Sequence, residues 1–524
     1  MKKHSGLSLL LAGAMFLSIT ACGGGASGMA PAPAGDMAPY GYTGMEPAAE
    51  AMPMEGGPEW NTEEYSHIQE NGFHAVSVTP LSTFAADVDT ASYANLRRML
   101  LAGQDVPADA VRIEELVNYF RYDYPQPEGD EPFSVSAQIA PCPWNEDTRL
   151  LRVGLQAPQP DWEAMPPSNL VFLIDVSGSM ESYDKLPLVK QAFLLLTENL
   201  RPDDVVSIVT YASYDHVALD GATGDEGERI QAAIEDLTAG GSTAGSKGIE
   251  TAYALAEKHF VTGGNNRVIL ATDGDLNVGV TSEGDLTRLV EEKKESGVFL
   301  SVMGFGTGNL KDNKMEALAD HGDGNYSYID SALEAKRVLV EEMGGTLFTV
   351  AKDVKLQVEF NPALVKGYRL VGYENRLMDA EDFADDTKDG GEIGAGHRVT
   401  ALYEVVPVDS PMEVPGADLK YQTATDTGSG EWLTVSIRYK QPEGDESALL
   451  EYPVGAEAVV EAPDEDTAFA ACVAQFGMLL RESAYAGSAS YEAVAGQLEE
   501  LDGVKDDAYK EEFLYLVKQM ARKG

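Results

Sequence analysis

The sequence predicts an α/β fold: a doubly wound, mostly parallel sheet inserted in a β-sandwich, with N- and C-terminal helical segments. Three observations carry this expectation. Between 170 and about 345, short apolar runs alternate with amphipathic helical patterns, the rhythm of a parallel sheet covered on both faces. On either side, at 132–158 and 346–460, residues alternate apolar and polar as antiparallel strands do. Helical periodicity occupies parts of 77–125 and returns at 466–486, 490–502 and 507–522.

The 524 residues are too many for one core, and 44% apolar content is that of a globular chain. Acidic residues dominate, with 86 Asp plus Glu against 38 Lys plus Arg and a formal charge of −48. Such a surface repels nucleic acid and anionic lipid, so neither is expected as the main partner. The first residues, "MKKHSGLSLLLAGAMFLSITAC", combine Lys2 and Lys3 with an apolar stretch too short to be a stable span. Ile19-Thr20-Ala21-Cys22 resembles the lipobox of bacterial lipoproteins, which implies cleavage before Cys22 and acylation of its thiol. Gly23 follows where an Asp would signal retention, so outer-membrane delivery is expected in a cell with two membranes. Loss of Lys2 and Lys3 takes the formal charge from −48 to −50.

From this pattern the expected division is a leader at 1–21, a flexible tether at 22–76 and a helical module at 77–131. Strands of a β-sandwich follow at 132–167, then the central α/β domain at 168–346, the rest of the sandwich at 347–460 and C-terminal helices at 461–524. The tether's core, 23–58, is Gly, Ala, Pro and Met without apolar period, and spans roughly 35 Å r.m.s.. In the helical module, Tyr93, Leu96 and Leu100 precede a Gly103 stop, and Val111, Leu116 and Phe120 repeat the pattern. Strands are expected at Val171–Ile174, Val205–Tyr211, Val268–Ala271, Val298–Met303 and Tyr326–Ile329. The segment 132–156 has too few strands to be stable alone, so it is expected to pair with strands from 350–452. Cys142 and Cys472 lie far apart in sequence and no obligatory disulfide is expected.

Three loops at strand ends or helix starts carry oxygen ligands. "VFLIDVSGSMESYDKLPLVKQAF" ends an apolar strand on Asp175, Ser177 and Ser179, with no cation read as neutralising the acid. "TAGGSTAGSKG" places Thr243 among glycines, and "ILATDGDLN" puts Asp273 directly after a strand. Hydroxyls and carboxylates without His or Cys suit a hard cation, Mg²⁺ before Mn²⁺ or Ca²⁺. Decoys are weaker. Asp273, Asp275 and Asn277 begin like an EF-hand, but Val278 and Gly284 stand where it needs Gly and Glu. The acidic run 379–392 reads as a solvated loop, and no nucleophile with an adjacent base is visible, so no enzyme is expected.

Asp175-x-Ser177-x-Ser179, Thr243 and Asp273 resemble the metal-ion-dependent adhesion site of von Willebrand factor type A domains, whose sheet is Rossmann-like. Segments such as "PLSTFAADVDTASYANLRRML", "DAVRIEELVNYFRYDYP", "GTLFTVAKDVKLQVEFNPA" and "GEIGAGHRVTALYE" extend the likeness over about 80–520. Together they resemble a family of bacterial lipoproteins with an N-terminal module, a type A domain and a C-terminal domain of unknown function. The resemblance implies that Ser177, Ser179 and Thr243 ligate a divalent cation directly while Asp175 and Asp273 hold ordered waters. It further implies that an Asp or Glu carboxylate from a protein partner completes the coordination. The expected function is a lipid-anchored envelope protein that binds a partner in this way; the alternatives are a scaffold subunit of an envelope complex or a hydrolase.

Overall fold

Two strands with apolar centres, each buried along its whole length, organise the centre of the molecule: β5 (Ser168–Asp175) and β8 (Asn265–Thr272). A strand buried on both faces needs a cover on each side. In β5, Leu170, Phe172 and Ile174 face one core and Val171 and Leu173 the other. The computed structural model describes residues 63–523 apart from 87, 130, 160, 162–164, 242–246, 275–282, 309, 343, 346–347, 389, 417–427, 443 and 445.

In chain order, the strands before β5 are β1 (His74–Ala75), β2 (Leu81–Ala85), β3 (Ser134–Pro141) and β4 (Arg149–Gln156). The central unit continues with β6 (Val205–Tyr211), β7 (Asp215–Thr223), β9 (Phe299–Phe305) and β10 (Tyr326–Ile329). After it come β11 (Thr349–Phe360), β12 (Val365–Val371), β13 (Leu377–Met378), β14 (Gly391–Gly394), β15 (Arg398–Pro407), β16 (Leu433–Lys440) and β17 (Ser447–Val454). The central sheet has the order β10-β9-β8-β5-β6-β7. All its pairings are parallel except β6 with β7, an antiparallel edge strand absent from the expected set. Its sequence, DHVALDGAT, has few apolar positions because an edge strand buries little.

Helices α1 (Ala91–Leu101) and α2 (Ile113–Asn118) precede this sheet. Within the central unit lie α3 (Leu186–Thr197), α4 (Gly227–Glu235), α5 (Gly248–Lys258), α6 (Glu283–Lys294), α7 (Asp312–His321) and α8 (Ala332–Lys336). The chain closes with α9 (Glu465–Leu480), α10 (Tyr491–Glu500), α11 (Gly503–Asp506) and α12 (Ala508–Lys523).

The flanking strands form the two sheets of a sandwich, β1-β12-β15-β4-β3 and β13-β2-β11-β16-β17, with β14 on β11. β4 pairs with β15 from Arg149↔Val405 to Gln156↔Arg398, so strands on either side of the central unit share one sheet and the unit is an insertion. Two segments differ from the sequence expectation. Residues 74–75, within the expected tether, pair with β12, and Leu81–Ala85, within the expected helical module, pairs with β11. Ser82 and Thr83 are buried there, and two polar residues in a five-residue strand mask its apolar signal.

Helices from both ends of the chain share one core. Tyr93, Leu116 and Phe120 pack with Phe469, Phe476, Leu498 and Phe513, and the Phe120 ring centroid lies 4.9 Å from that of Phe469 and 5.3 Å from that of Phe513. Cys142 and Cys472 are both free and buried in this core, and burial pushes each thiol up to about 12.

His397 supplies a pH dependence. Its Nδ1 accepts the Gly394 N–H at 3.1 Å, which requires an unprotonated nitrogen. Gly345 lies so close that any side chain there would strike the imidazole. Burial, reinforced by Arg398, Arg267 and Arg337, lowers the ring to about 4. The unfolded chain therefore binds this proton first, and stability falls as pH drops from about 6.5 towards 4. Urea titrations should show a loss of on the order of 2 kcal/mol across that window, and His397→Gln should flatten it.

Candidate functional site

The site is built where β5 and β8 end. In a parallel sheet, the carboxyl ends of neighbouring strands bring separate loops together. Asp175 is the last residue of β5, in register with Tyr211 of β6, and Asp273 follows β8 directly. Asp175 is fully buried and Asp273 is 1% exposed.

The first loop folds on its own acid. Asp175 Oδ1 accepts the Ser177 N–H at 2.8 Å, an Asx-type turn that a short carboxylate favours. The next residues form a single 3₁₀ turn over Gly178–Glu181. This curls the chain so that Ser177 Oγ and Ser179 Oγ converge to 2.9 Å. Ser177 is buried and Ser179 exposed, so the paired hydroxyls run from the interior to solvent. The second loop is held against the first by two backbone bonds, Gly240 N–H to Val176 O at 2.8 Å and Gly178 N–H to Gly241 O at 3.0 Å. Gly241 has φ +84° and packs on Ser213 Oγ, a conformation and closeness that favour glycine.

Of the residues named from sequence, Asp175, Ser177, Ser179 and Asp273 lie at this one end of the sheet. Thr243 lies outside the described residues, as do Cys22 and the decoy Asp275. The donor set suits a hard divalent cation: four side chains offering only oxygen, two of them carboxylates. Among the described residues no group of three or more His, Cys, Asp or Glu could hold a metal, so a cation here would depend on the hydroxyls. Burial, with the nearby Asp175 charge, pushes the Tyr211 phenol well above its ordinary value.

The sequence placed no cation beside Asp175; the structure places one beside its neighbour Asp273, which the sequence did not reveal. Lys185 Nζ donates to Asp273 Oδ2 at 2.9 Å, and the lysine side chain is only 11% exposed. Two tyrosines on the rim were also missed: Tyr183, 87% exposed in the loop after Ser179, and Tyr214, 75% exposed in the β6–β7 turn. Exposed aromatics at a strand end had no periodicity to mark them. In the acidic run, Asp385 accepts from Thr387, and Asp386 accepts from Arg438 and Ser447, so these carboxylates have partners in their own sandwich.

The chain matches the family model described as "von Willebrand factor type A domain" over residues 169–341, that of "Uncharacterized protein YfbK, C-terminal" over 345–522, and one described as "von Willebrand factor" over 59–152. It is similar to the Escherichia coli protein YfbK, 43% identical over 469 residues, which covers 87% of this chain and 80% of that protein. A weaker likeness, 30% over 194 residues, joins it to inter-alpha-trypsin inhibitor heavy chain H3 of Bos taurus, covering 35% of this chain and 22% of the bovine protein. Among solved structures, a von Willebrand factor type A protein from Catenulispora acidiphila aligns with TM-score 0.37 at 19% identity, over 64% of this chain and 75% of that one.

Proposed function

We infer the function from kinship: this chain belongs to the family of the Escherichia coli protein YfbK, with a von Willebrand factor type A domain at its centre. Type A domains commonly mediate protein–protein interaction. This chain captures a partner protein through a divalent cation, Mg²⁺ first, held by the hydroxyls of Ser177, Ser179 and Thr243, with Asp175 and Asp273 acting through water. When bound, the cation supplies an electrophilic point to which an Asp or Glu of the partner can attach. The observation that carries the reading is the convergence of Ser177 Oγ and Ser179 Oγ to 2.9 Å beside two buried carboxylates.

The chain's own residues prepare the site. Asp175 holds the first loop in its turn, Gly240 and Gly241 tie the second loop to it, and Tyr211, in register with Asp175, is fully buried. Tyr183 and Tyr214 give a partner rigid aromatic contacts around the charged centre. A charge-assisted contact to a carboxylate contributes more than a neutral hydrogen bond, so a small surface suffices. Pull-down from detergent extract with immobilised protein should recover a partner in Mg²⁺ and lose it in EDTA. A partner retained equally in EDTA rejects the mechanism.

Placement at the envelope belongs to the same proposal: a leader at 1–21, an acyl anchor on Cys22 and a tether that carries the folded part clear of the lipid. Among the described residues no helix is long and apolar enough to cross a membrane. Cys22→Ser should shift the protein from the detergent to the aqueous phase on partitioning. Unchanged partitioning would refute the anchor and leave the metal site untouched.

A further inference from the structure

We propose that Lys185 is a built-in counter-cation of the site, which weakens its hold on the metal and strengthens the metal's hold on the partner's carboxylate. The inference rests on the metal-site reading above and concerns what sets its charge.

The lysine is seated by the fold. Lys185 immediately precedes α3, and its N–H bonds back to Ser182 O at 3.1 Å while its carbonyl accepts the Val189 N–H at 2.9 Å. Its stem crosses the loop after β9 and lies against Gly306, whose φ is +75°. A side-chain carbon at 306 would collide with Lys185 Cγ and Cε. A fourth loop, beyond the three that offer the ligands, is thus shaped to admit this stem. The stem ends on Asp273 Oδ2, where the lysine is 9% and the aspartate 1% exposed. A surface lysine would keep its ammonium in water, because ordering a long side chain costs rotamer entropy and an exposed pair returns little. Here the pair is enclosed and its geometry is imposed from both ends.

Charge arithmetic gives the consequence. Asp175 and Asp273 alone contribute two negative charges; a divalent cation would neutralise them and leave the site no net demand for an anion. With the Lys185 ammonium included, the same site carries one net positive charge when loaded. The ammonium repels the incoming cation, and the loaded site attracts a carboxylate more strongly. At an effective dielectric constant of about 20, a unit charge within about 6 Å changes the affinity for a monovalent carboxylate by about a hundredfold, and that for a divalent cation by more because its charge is doubled. The two effects have opposite signs. A defect in folding or loop shape would weaken both together, so the pair of signs identifies the charge effect.

The test uses the full chain without its leader and Mn²⁺ as the probe. Mn²⁺ binding is followed by electron paramagnetic resonance, and acetate binding to the Mn²⁺-loaded protein by water-proton relaxation. Lys185→Met should bind Mn²⁺ at least about a hundredfold more tightly, and acetate about a hundredfold more weakly, than the unaltered chain. If Lys185→Met does not fold, Lys185→Gln, which also removes the charge, carries the same expectation. Unchanged or weaker Mn²⁺ binding in the folded variant, or weakening of both ligands, overturns the role of Lys185. If the unaltered chain binds no Mn²⁺, the underlying metal-site reading fails instead, so the two failures are separate.

Discussion

Arg97→Ala should destabilise the folded chain by about 3–5 kcal/mol, because it leaves buried acids without their cation. Arg97, on α1, is 2% exposed. It donates to Asp330 after β10 at 2.5 and 2.9 Å, to Glu334 on α8 at 2.8 Å, to Tyr119 at the end of α2 at 2.8 Å, and to Glu512 on α12 at 3.1 Å. Arg337 reaches Glu334 from the other side at 2.7 Å and Thr90 at 2.7 Å. One guanidinium thus ties the inserted domain to helices from both ends of the chain. Burial alone would raise the Glu334 carboxyl, yet Arg337 and Arg97 hold it below its usual range. A carboxyl with a depressed folded pKa stabilises above its unfolded value, near 4.3, and loses that contribution as pH falls through the folded value. The Arg97→Ala deficit should therefore be full at pH 7 and shrink on acidification below about pH 4. Denaturant midpoints across pH will read it; an equal deficit at pH 3 and pH 7 would contradict the assignment.

Ser177→Ala with Ser179→Ala should lower Mg²⁺ affinity by at least about a hundredfold in calorimetry. The thermal midpoint in EDTA should move little. Both hydroxyls lie on a loop above the sheet, and the bond that shapes the loop uses the Ser177 backbone N–H, which alanine keeps. Retained Mg²⁺ binding in the double variant would place the cation elsewhere.

Much of this architecture was legible, and the failures share a cause. β6 and β10 fall on the residues expected, and β5 and β8 enclose theirs, because each carries a short, dense run of apolar and aromatic residues. The insertion into a sandwich followed from the instability of an isolated hairpin. By contrast β12, VKGYRLV, carries no clean alternation: Arg369 is buried there, paired with Glu404 on β15 at 3.0 Å. Such a partner is invisible to a pattern read along one segment. Lys185 escaped for the same reason, since its partner Asp273 is 88 positions away. The juxtaposition of Asp175, Ser177 and Ser179 could be read because the three are local in sequence, and the place of Asp273 because it directly follows a clear strand. The rim tyrosines and the ammonium could not, being juxtapositions made by the sheet.

The most direct measurement of the central claim is anomalous diffraction from crystals soaked in Mn²⁺. One strong anomalous peak is expected at the carboxyl ends of β5 and β8, contacted by Ser177 Oγ, Ser179 Oγ and Thr243 Oγ1, with a remaining position open to solvent. A peak at another place, or Mn²⁺ bound in solution with no peak among these residues, would contradict it.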